Sequence, residues 1–390
     1  MINRVIFFVE SPFNQRDYDR FGIEILQKNG FEVEVWDFTP FLYPRVHKEV
    51  VIPDPINFEK CISFPTQHEA LSAIFKLEQN CLIVCLLVYQ LKSFPIFRTI
   101  SIIKLPYCVV MANALPTIYS KKRTLDLCSF LKKIGYYQII NAIFCRLPYN
   151  YFGIQPANII LGGGAKSIKY NYPFNKKTEI LWLHALDYDL YLKEYHNPIT
   201  SDEKMGVFLD EYLPFHPDYI YQDVSAPCTP EEYYPAICKF FDFIESVYGV
   251  HIVIAAHPRS KYEDHPDYFG GRTVIRGKTI ELVKKSGFTI GHMSTSMNFA
   301  VLFNKSVIFI TSNKLQQSIW GSYIELMASH LGKTPVNIDK FTGIDWEKEM
   351  SINEKAYIDY KHSYIKKAGS KELPFWQILA NRVKDEWQEH

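Results

Sequence analysis

No two cysteines in this chain form a CxxC pair, and no histidine stands at zinc-finger spacing from any of the eight thiols, Cys61, Cys81, Cys85, Cys108, Cys128, Cys145, Cys228 and Cys238. A zinc ribbon and a dense disulfide framework are thereby excluded, and the thiols read as reduced core filler in a cytoplasmic protein. An excess of one charge is missing as well: 43 Lys plus Arg face 42 Asp plus Glu, a net of +1. No chain-wide field draws in DNA or RNA, so no nucleic-acid partner is expected. The most apolar stretch, Cys81 to Tyr89, falls far short of the roughly 20 residues that span a bilayer. The start, Met1 to Glu10, has one basic residue and meets an acid too early for a signal peptide. Attachment to the inner face of a membrane is left open by Lys121-Lys122-Arg123 and Lys132-Lys133, which flank an apolar stretch but are few for an electrostatic anchor.

What is present suits a packed chain. With 390 residues, 47% hydrophobic and 22% charged, a sizeable core can form, but the length is more than one core usually fills. Short apolar runs recur at Val5 to Val9, Phe31 to Phe38, Cys81 to Val88, Tyr107 to Met111, Asn158 to Leu161 and Glu179 to Leu183, spaced widely enough for helices between them. Their apolarity is continuous rather than alternating, as in parallel strands covered on both faces. After a polar break at His196 to Lys204 the rhythm restarts with Met205 to Leu209, Val250 to Ala255, Thr273 to Ile275, Phe288 to Ile290 and Ser306 to Ile310. Thr229-Pro-Glu opens an amphipathic helix running to Tyr248, and Phe375 to Trp387 carries a second helical apolar face. The expected class is α/β, with two Rossmann-like domains at 1–198 and 199–350 and a helical tail at 351–390. That order matches the GT-B architecture, in which the last helix returns to the first domain.

The strongest chemical signal is a strand running into His257-Pro258-Arg259. Ligands of parallel sheets bind at the carboxyl ends of strands, where histidine can give a hydrogen bond or proton to a leaving phosphate and arginine can pair with its oxygens. The bland alternative is a structural histidine before a turn proline. A second strand ends in Gly291-His292-Met293-Ser294-Thr295-Ser296, hydroxyls that suit a phosphate and equally suit a simple helix cap. Between them, Arg276, Gly277, Lys278 and Glu281 follow another strand; the cations can neutralise phosphate and Glu281 can take ribose hydroxyls, or all can be a solvated helix start. Asp210 and Glu211 end the second domain's first strand, where one can act as a general base while the other caps a turn. In the first domain, Glu10, Asn14 and Arg16 lie in a polar loop after the first strand, on the side where an acceptor docks. That loop lacks the glycines of a dinucleotide fingerprint, and Gly162-Gly163-Gly164 lacks the Lys-Ser/Thr of a P-loop and reads as a close-approach turn facing the cleft.

The acid pair, then His257-Pro258, then Ser294-Thr295-Ser296, in that order, resembles the bacterial GT-B sialyltransferases and the related transferases of Kdo, legionaminic or pseudaminic acid. The resemblance covers about residues 206–311. It implies a base role for Asp210 or Glu211, a phosphate role for His257 and phosphate contacts for Ser294, Thr295 and Ser296. It also implies a CMP-activated ulosonic acid as donor, a glycan acceptor, no cofactor and no metal at the leaving group, and no Asp-x-Asp metal motif is expected. No protein partner is expected. The family's acidic motif ends in glycine, where this chain has Tyr212. Alternatives are a UDP- or GDP-sugar or CDP-polyol transferase, a UDP-sugar 2-epimerase needing no acceptor, or a noncatalytic binding protein.

Overall fold

The computed structural model describes residues 2–386 except 51, 53, 118–135, 169–171, 223 and 342. Cys128, the basic residues at 121–123 and 132–133, and Trp387 lie outside the described residues. The first half builds a seven-stranded sheet from β1 (Arg4–Val9), β2 (Glu32–Asp37), β3 (Cys61–Ser63), β4 (Cys81–Cys85), β5 (Tyr107–Met111), β6 (Ile159–Gly162) and β7 (Glu179–Trp182). Its order is β3-β2-β1-β4-β5-β6-β7, and every pairing is parallel. The second half builds a six-stranded parallel sheet from β8 (Asp202–Leu209), β9 (His251–Ala256), β10 (Val274–Arg276), β11 (Ser286–Gly291), β12 (Ser306–Thr311) and β13 (Val336–Asn337), in the order β10-β9-β8-β11-β12-β13.

The continuous apolar runs have the expected cause: each sheet separates two cores. Along β1, Ile6 and Phe8 enter one core while Val5, Phe7 and Val9 enter the other. Along β8, Val207 and Leu209 pack on one side and Phe208 on the opposite side. A pleated strand sends alternate side chains to opposite faces, so both faces must be apolar when both are covered. The sequence runs omit β3 and β13, which are edge strands of three and two residues and carry no such pattern. The helix Pro230–Tyr248 starts in a full capping box between Thr229 and Glu232.

The chain's last helix, Phe375–Glu386, belongs to the first unit's core. Trp376 is buried against Phe7, with ring centroids 5.0 Å apart, and its indole N–H donates to the Arg20 carbonyl at 2.6 Å. Arg382 grips Glu179 with two hydrogen bonds of 2.8 Å. Gly22 makes room for this: at φ 54° it sits in the left-handed region, and a Cβ there would collide with the Trp376 ring. Before that helix, the segment Lys361–Ile365 and the preceding helix Glu354–Tyr360 pack on the second unit through Tyr357, Tyr360, Tyr364 and Ile365. The tail therefore crosses from the second sheet to the first. Two Rossmann-like units with a returning C-terminal helix form the GT-B arrangement.

The glycine run has a different role from the expected one. The backbone N–H groups of Ala165 and Lys166 donate to His362 and Ser363 carbonyls, at 2.8 and 2.7 Å, and Lys367 N–H donates to Gly163 at 3.1 Å. A Cβ on Gly164 would strike the Ser363–Tyr364 backbone. The close approach is real, but it receives the crossing tail rather than the cleft.

Both sheets reverse their strand order beside a central strand, at β1/β4 and at β8/β11. Such switch points open a crevice at the carboxyl ends, and Glu10 and Asp210 are the residues that follow β1 and β8.

Candidate functional site

A cleft of about 430 Å³ lies between the units. Asn14, Arg16 and Arg20 line it from the first unit, Asp187 from the helix Leu186–Tyr195, and Asp210, His257, Pro258, Arg259, Arg276, Gly277 and Ser294 to Ser296 from the second. Tertiary pairing explains the grouping: β8 lies between β9 and β11, so the loops after all three strands open side by side.

Asp210 is the hub. Its Oδ1 accepts the Tyr212 N–H at 2.9 Å, and its Oδ2 accepts the His257 N–H at 3.1 Å and the Tyr262 hydroxyl at 2.9 Å. Burial pushes its carboxyl up to about 6, against the hydrogen bonds from His257, Tyr212 and Tyr262, which favour the charged form. Glu211 is also buried and its carboxyl is raised well above the usual range, first by burial, but it points elsewhere. It accepts the Met293 N–H at 2.5 Å, fastening the loop after β11, and it does not line the cleft. Tyr212 stands at φ 52°. That left-handed conformation costs a side-chain-bearing residue roughly 1–2 kcal/mol, which is the physical reason a glycine suits this position. Here the Tyr212 ring lies parallel to the His257 ring, at 6.4 Å between centroids.

His257 is half-buried and neutral. Burial first, then His216, Arg259 and Arg16, push its imidazole down to about 2. Its Nδ1 accepts the Arg259 N–H at 3.2 Å, so that nitrogen is bare and Nε2 carries the hydrogen. The ring is thus built to donate a hydrogen bond, and it sits in a positive field that an anion would relieve. Ser260 closes the turn, its hydroxyl donating to the His257 carbonyl at 2.8 Å, and Arg276 donates to the Ser260 carbonyl at 3.1 Å. The Ser294 and Ser296 hydroxyls are 2.8 Å apart and, with Thr295, face the cleft. His292 turns inward, between the Ile310 carbonyl and the Tyr233 hydroxyl, both at 2.8 Å, and is structural.

Several sequence candidates are not brought together with these. Lys278 and Glu281 do not line the cleft; Thr279 and Ile280 do. The Glu281 Oε2 is buried without a partner. Glu10 sits apart, with burial raising its carboxyl to about 7 against the Val88 N–H and Lys92, and its Oε2 also has no partner. Asn14 spends its side-chain oxygen on the Asp17 N–H at 3.0 Å.

Sequence reasoning missed Arg20, Asp187 and Tyr262. Arg20 was readable, because four residues beyond Arg16 on one helix puts both on one face. Arg20 pairs with Asp187 at 3.1 Å, and Asn298 donates to the other oxygen of Asp187 at 3.2 Å. Two Asp-x-Asp triplets stand in the first half, Asp17-Tyr18-Asp19 and Asp187-Tyr188-Asp189. Both are helical, and positions two apart on a helix diverge by about 200°, so neither acid pair can grip one ion. Among the described residues no group of His, Cys, Asp and Glu could hold a metal ion, and no helix is long and apolar enough to cross a membrane.

No protein-family model matches the chain, and no curated protein does. Among solved structures it is similar to the UDP-GlcNAc 2-epimerase of Methanocaldococcus jannaschii, at 12% identity over 100% of both chains with a TM-score of 0.47. It is also similar to Acinetobacter baumannii MurG, at 8% identity over 100% of both chains and a TM-score of 0.49. A third is the wall teichoic acid polymerase TagF, at 11% identity over 100% of this chain and 90% of that one, TM-score 0.49. At such identities and TM-scores these likenesses assign this chain no donor and no reaction.

Proposed function

We propose that this protein is an inverting glycosyltransferase that moves a CMP-activated ulosonic acid, a nonulosonic acid or Kdo, onto a hydroxyl of a surface-glycan acceptor. One observation carries the reading: the hydrogen bond from the His257 N–H to Asp210 holds a carboxylate and a phosphate-binding turn on one wall of a single cleft. Asp210 takes the proton of the acceptor hydroxyl through the lone pair that Tyr212 leaves on Oδ1. The acceptor oxygen bonds to the anomeric carbon as the carbon–oxygen bond to phosphate breaks, and CMP departs with the electron pair. The His257 Nε2–H, Arg259 and the hydroxyls of Ser294, Thr295 and Ser296 take up the charge growing on that phosphate, the task for which prepositioned donors are most effective. These cations and donors serve the leaving group without a metal. Such chemistry belongs in the cytoplasm, at or near the inner face of the membrane where glycan acceptors are assembled.

The test is the thermal stability of the purified protein with CMP, CDP, UMP, UDP or GDP, since a ligand of the folded state alone raises the melting temperature. Selective stabilisation by CMP is expected. Preference for UDP or GDP would replace the donor, preference for CDP would point to a polyol-phosphate donor, and no stabilisation by any of them would end the transferase reading.

A further inference from the structure

Four guanidinium groups line the cleft, two from each unit: Arg16 and Arg20, and Arg259 and Arg276. Their partners differ. Arg20 is held by Asp187 at 3.1 Å, and Arg276 by the Ser260 carbonyl at 3.1 Å and Glu263 at 3.4 Å. Among the described residues, the Arg259 guanidinium pairs with Asp218 alone, at 4.0 Å. Arg16 is exposed on the cleft wall and makes no hydrogen bond or ion pair with any described residue; partial desolvation first, then Arg20, lowers its guanidinium to about 10, with Arg259 adding to this and the nearby Asp17 and Asp187 charges opposing it. Asp19 and Asp54 also line the cleft but are exposed, and Asp19 accepts from Gln15 at 3.1 Å. The same Arg16 charge is felt by His257 across the cleft. One phosphate, held by His257, Arg259 and the three hydroxyls, leaves the Arg16 guanidinium without a hydrogen-bonded partner among the described residues.

We infer that Arg16 is the specificity-determining contact for a second anionic group on the donor, carried beyond the phosphate that the His257 turn holds. This rests on the nucleotide-sugar reading. The group is a planar or tetrahedral oxyanion, either the carboxylate of an acidic sugar or a second phosphate, both of which a guanidinium can grip through paired N–H groups. A neutral sugar on a single phosphate would leave the Arg16 guanidinium facing Arg259 with only the nearby charges of Asp17 and Asp187 and no hydrogen-bonded anion. The residue that the sequence places in the acceptor loop thereby becomes part of donor recognition, reached only because the first unit folds over the second unit's strand ends.

The experiment is calorimetric binding of CMP, CDP and CMP-N-acetylneuraminic acid to the wild type and to Arg16→Gln, a substitution on the cleft wall that leaves the core untouched. Removing a charge-assisted hydrogen bond should weaken binding by roughly 10-fold or more. Weakening confined to CMP-N-acetylneuraminic acid, with CMP unchanged, identifies the carboxylate; weakening confined to CDP identifies the second phosphate. Arg16→Lys, which keeps the charge but not the fork, should recover part of the affinity. Equal weakening of CMP and both larger ligands would place Arg16 on the first phosphate and overturn the inference, as would no change with any ligand. If the wild type binds none of the three, the nucleotide reading itself falls, an outcome recognisable without the variant.

Discussion

The two units bring their strand ends to one cleft in opposite states of completion. On the second unit's side the groups interlock: Asp210 holds the His257 turn and Tyr262, the turn is closed by Ser260, and Ser260 is held by Arg276. On the first unit's side, Arg16 makes no hydrogen bond or ion pair with any described residue, and the Asp17 and Asp187 charges act on it without a hydrogen bond. Donors and dipoles aimed at developing charge act best when they need no reorganisation, so the interlocked wall suits the leaving group. The unpaired wall suits groups that arrive with a ligand.

The sharpest way to break this contrast is at the two adjacent acids. Asp210→Asn should lower turnover by roughly 10²–10⁴-fold, the usual contribution of a general base, while CMP binding measured calorimetrically survives. Glu211→Gln, outside the cleft, keeps an oxygen for the Met293 N–H and removes an acid that burial disfavours, so it should keep or raise the melting temperature at pH 8 and leave turnover within a few-fold of wild type. If the two swap outcomes, the base is Glu211 and the interlocked wall is misread. Asp210 also supplies a pH signature. With its carboxyl raised to about 6, turnover should climb with pH through about 6 as the base loses its proton. Its contribution to stability runs the other way: a raised folded pKa gives stabilisation that is full below the unfolded value and is lost as pH rises through about 6.

Next in size is the tail that completes the first unit. Trp376→Ala should cost about 3–5 kcal/mol in urea unfolding, the usual cost of deleting a buried large aromatic side chain, with the first unit's transition moving more than the second's. A single shift of one cooperative transition would show instead that the crossing tail welds the units together. Tyr262→Phe should be milder, about 1 kcal/mol, but diagnostic. Removing its hydroxyl from Oδ2 takes away a bond that favours the carboxylate, so the rise in turnover should move to higher pH than in wild type. The smallest effect is expected in the first unit away from the cleft: Glu10→Gln should raise the melting temperature at pH 8 and do little at pH 5. The Glu10 carboxyl is raised to about 7 by burial, and its stabilising contribution, full below the unfolded value, is gone above about 7.

Much of this architecture is legible in the chain itself. Continuous apolar runs marked most of the strands, because a strand covered on both faces has no polar side to show, and the Thr229-Pro-Glu start announced the long helix, whose full capping box the structure adds. The edge strands β3 and β13 were not legible, since a few half-exposed residues carry no period. Among site residues, His257-Pro258-Arg259 and Ser294 to Ser296 could be placed because each follows a strand directly. Tyr262 and Asp187 could not be tied to the site, because what qualifies them is a partner distant in sequence: Asp210 for the first, Arg20 and Asn298 for the second.

By itself, then, the sequence determined two parallel-sheet units, a returning helix and the strand ends at which ligands can bind, because hydrophobic period and turn chemistry are local properties. Only the tertiary structure separated Asp210 from Glu211, sent the glycine run to the tail instead of the cleft, and brought Arg16 across to His257. Direction, burial and field depend on neighbours hundreds of residues away, and no local pattern encodes them.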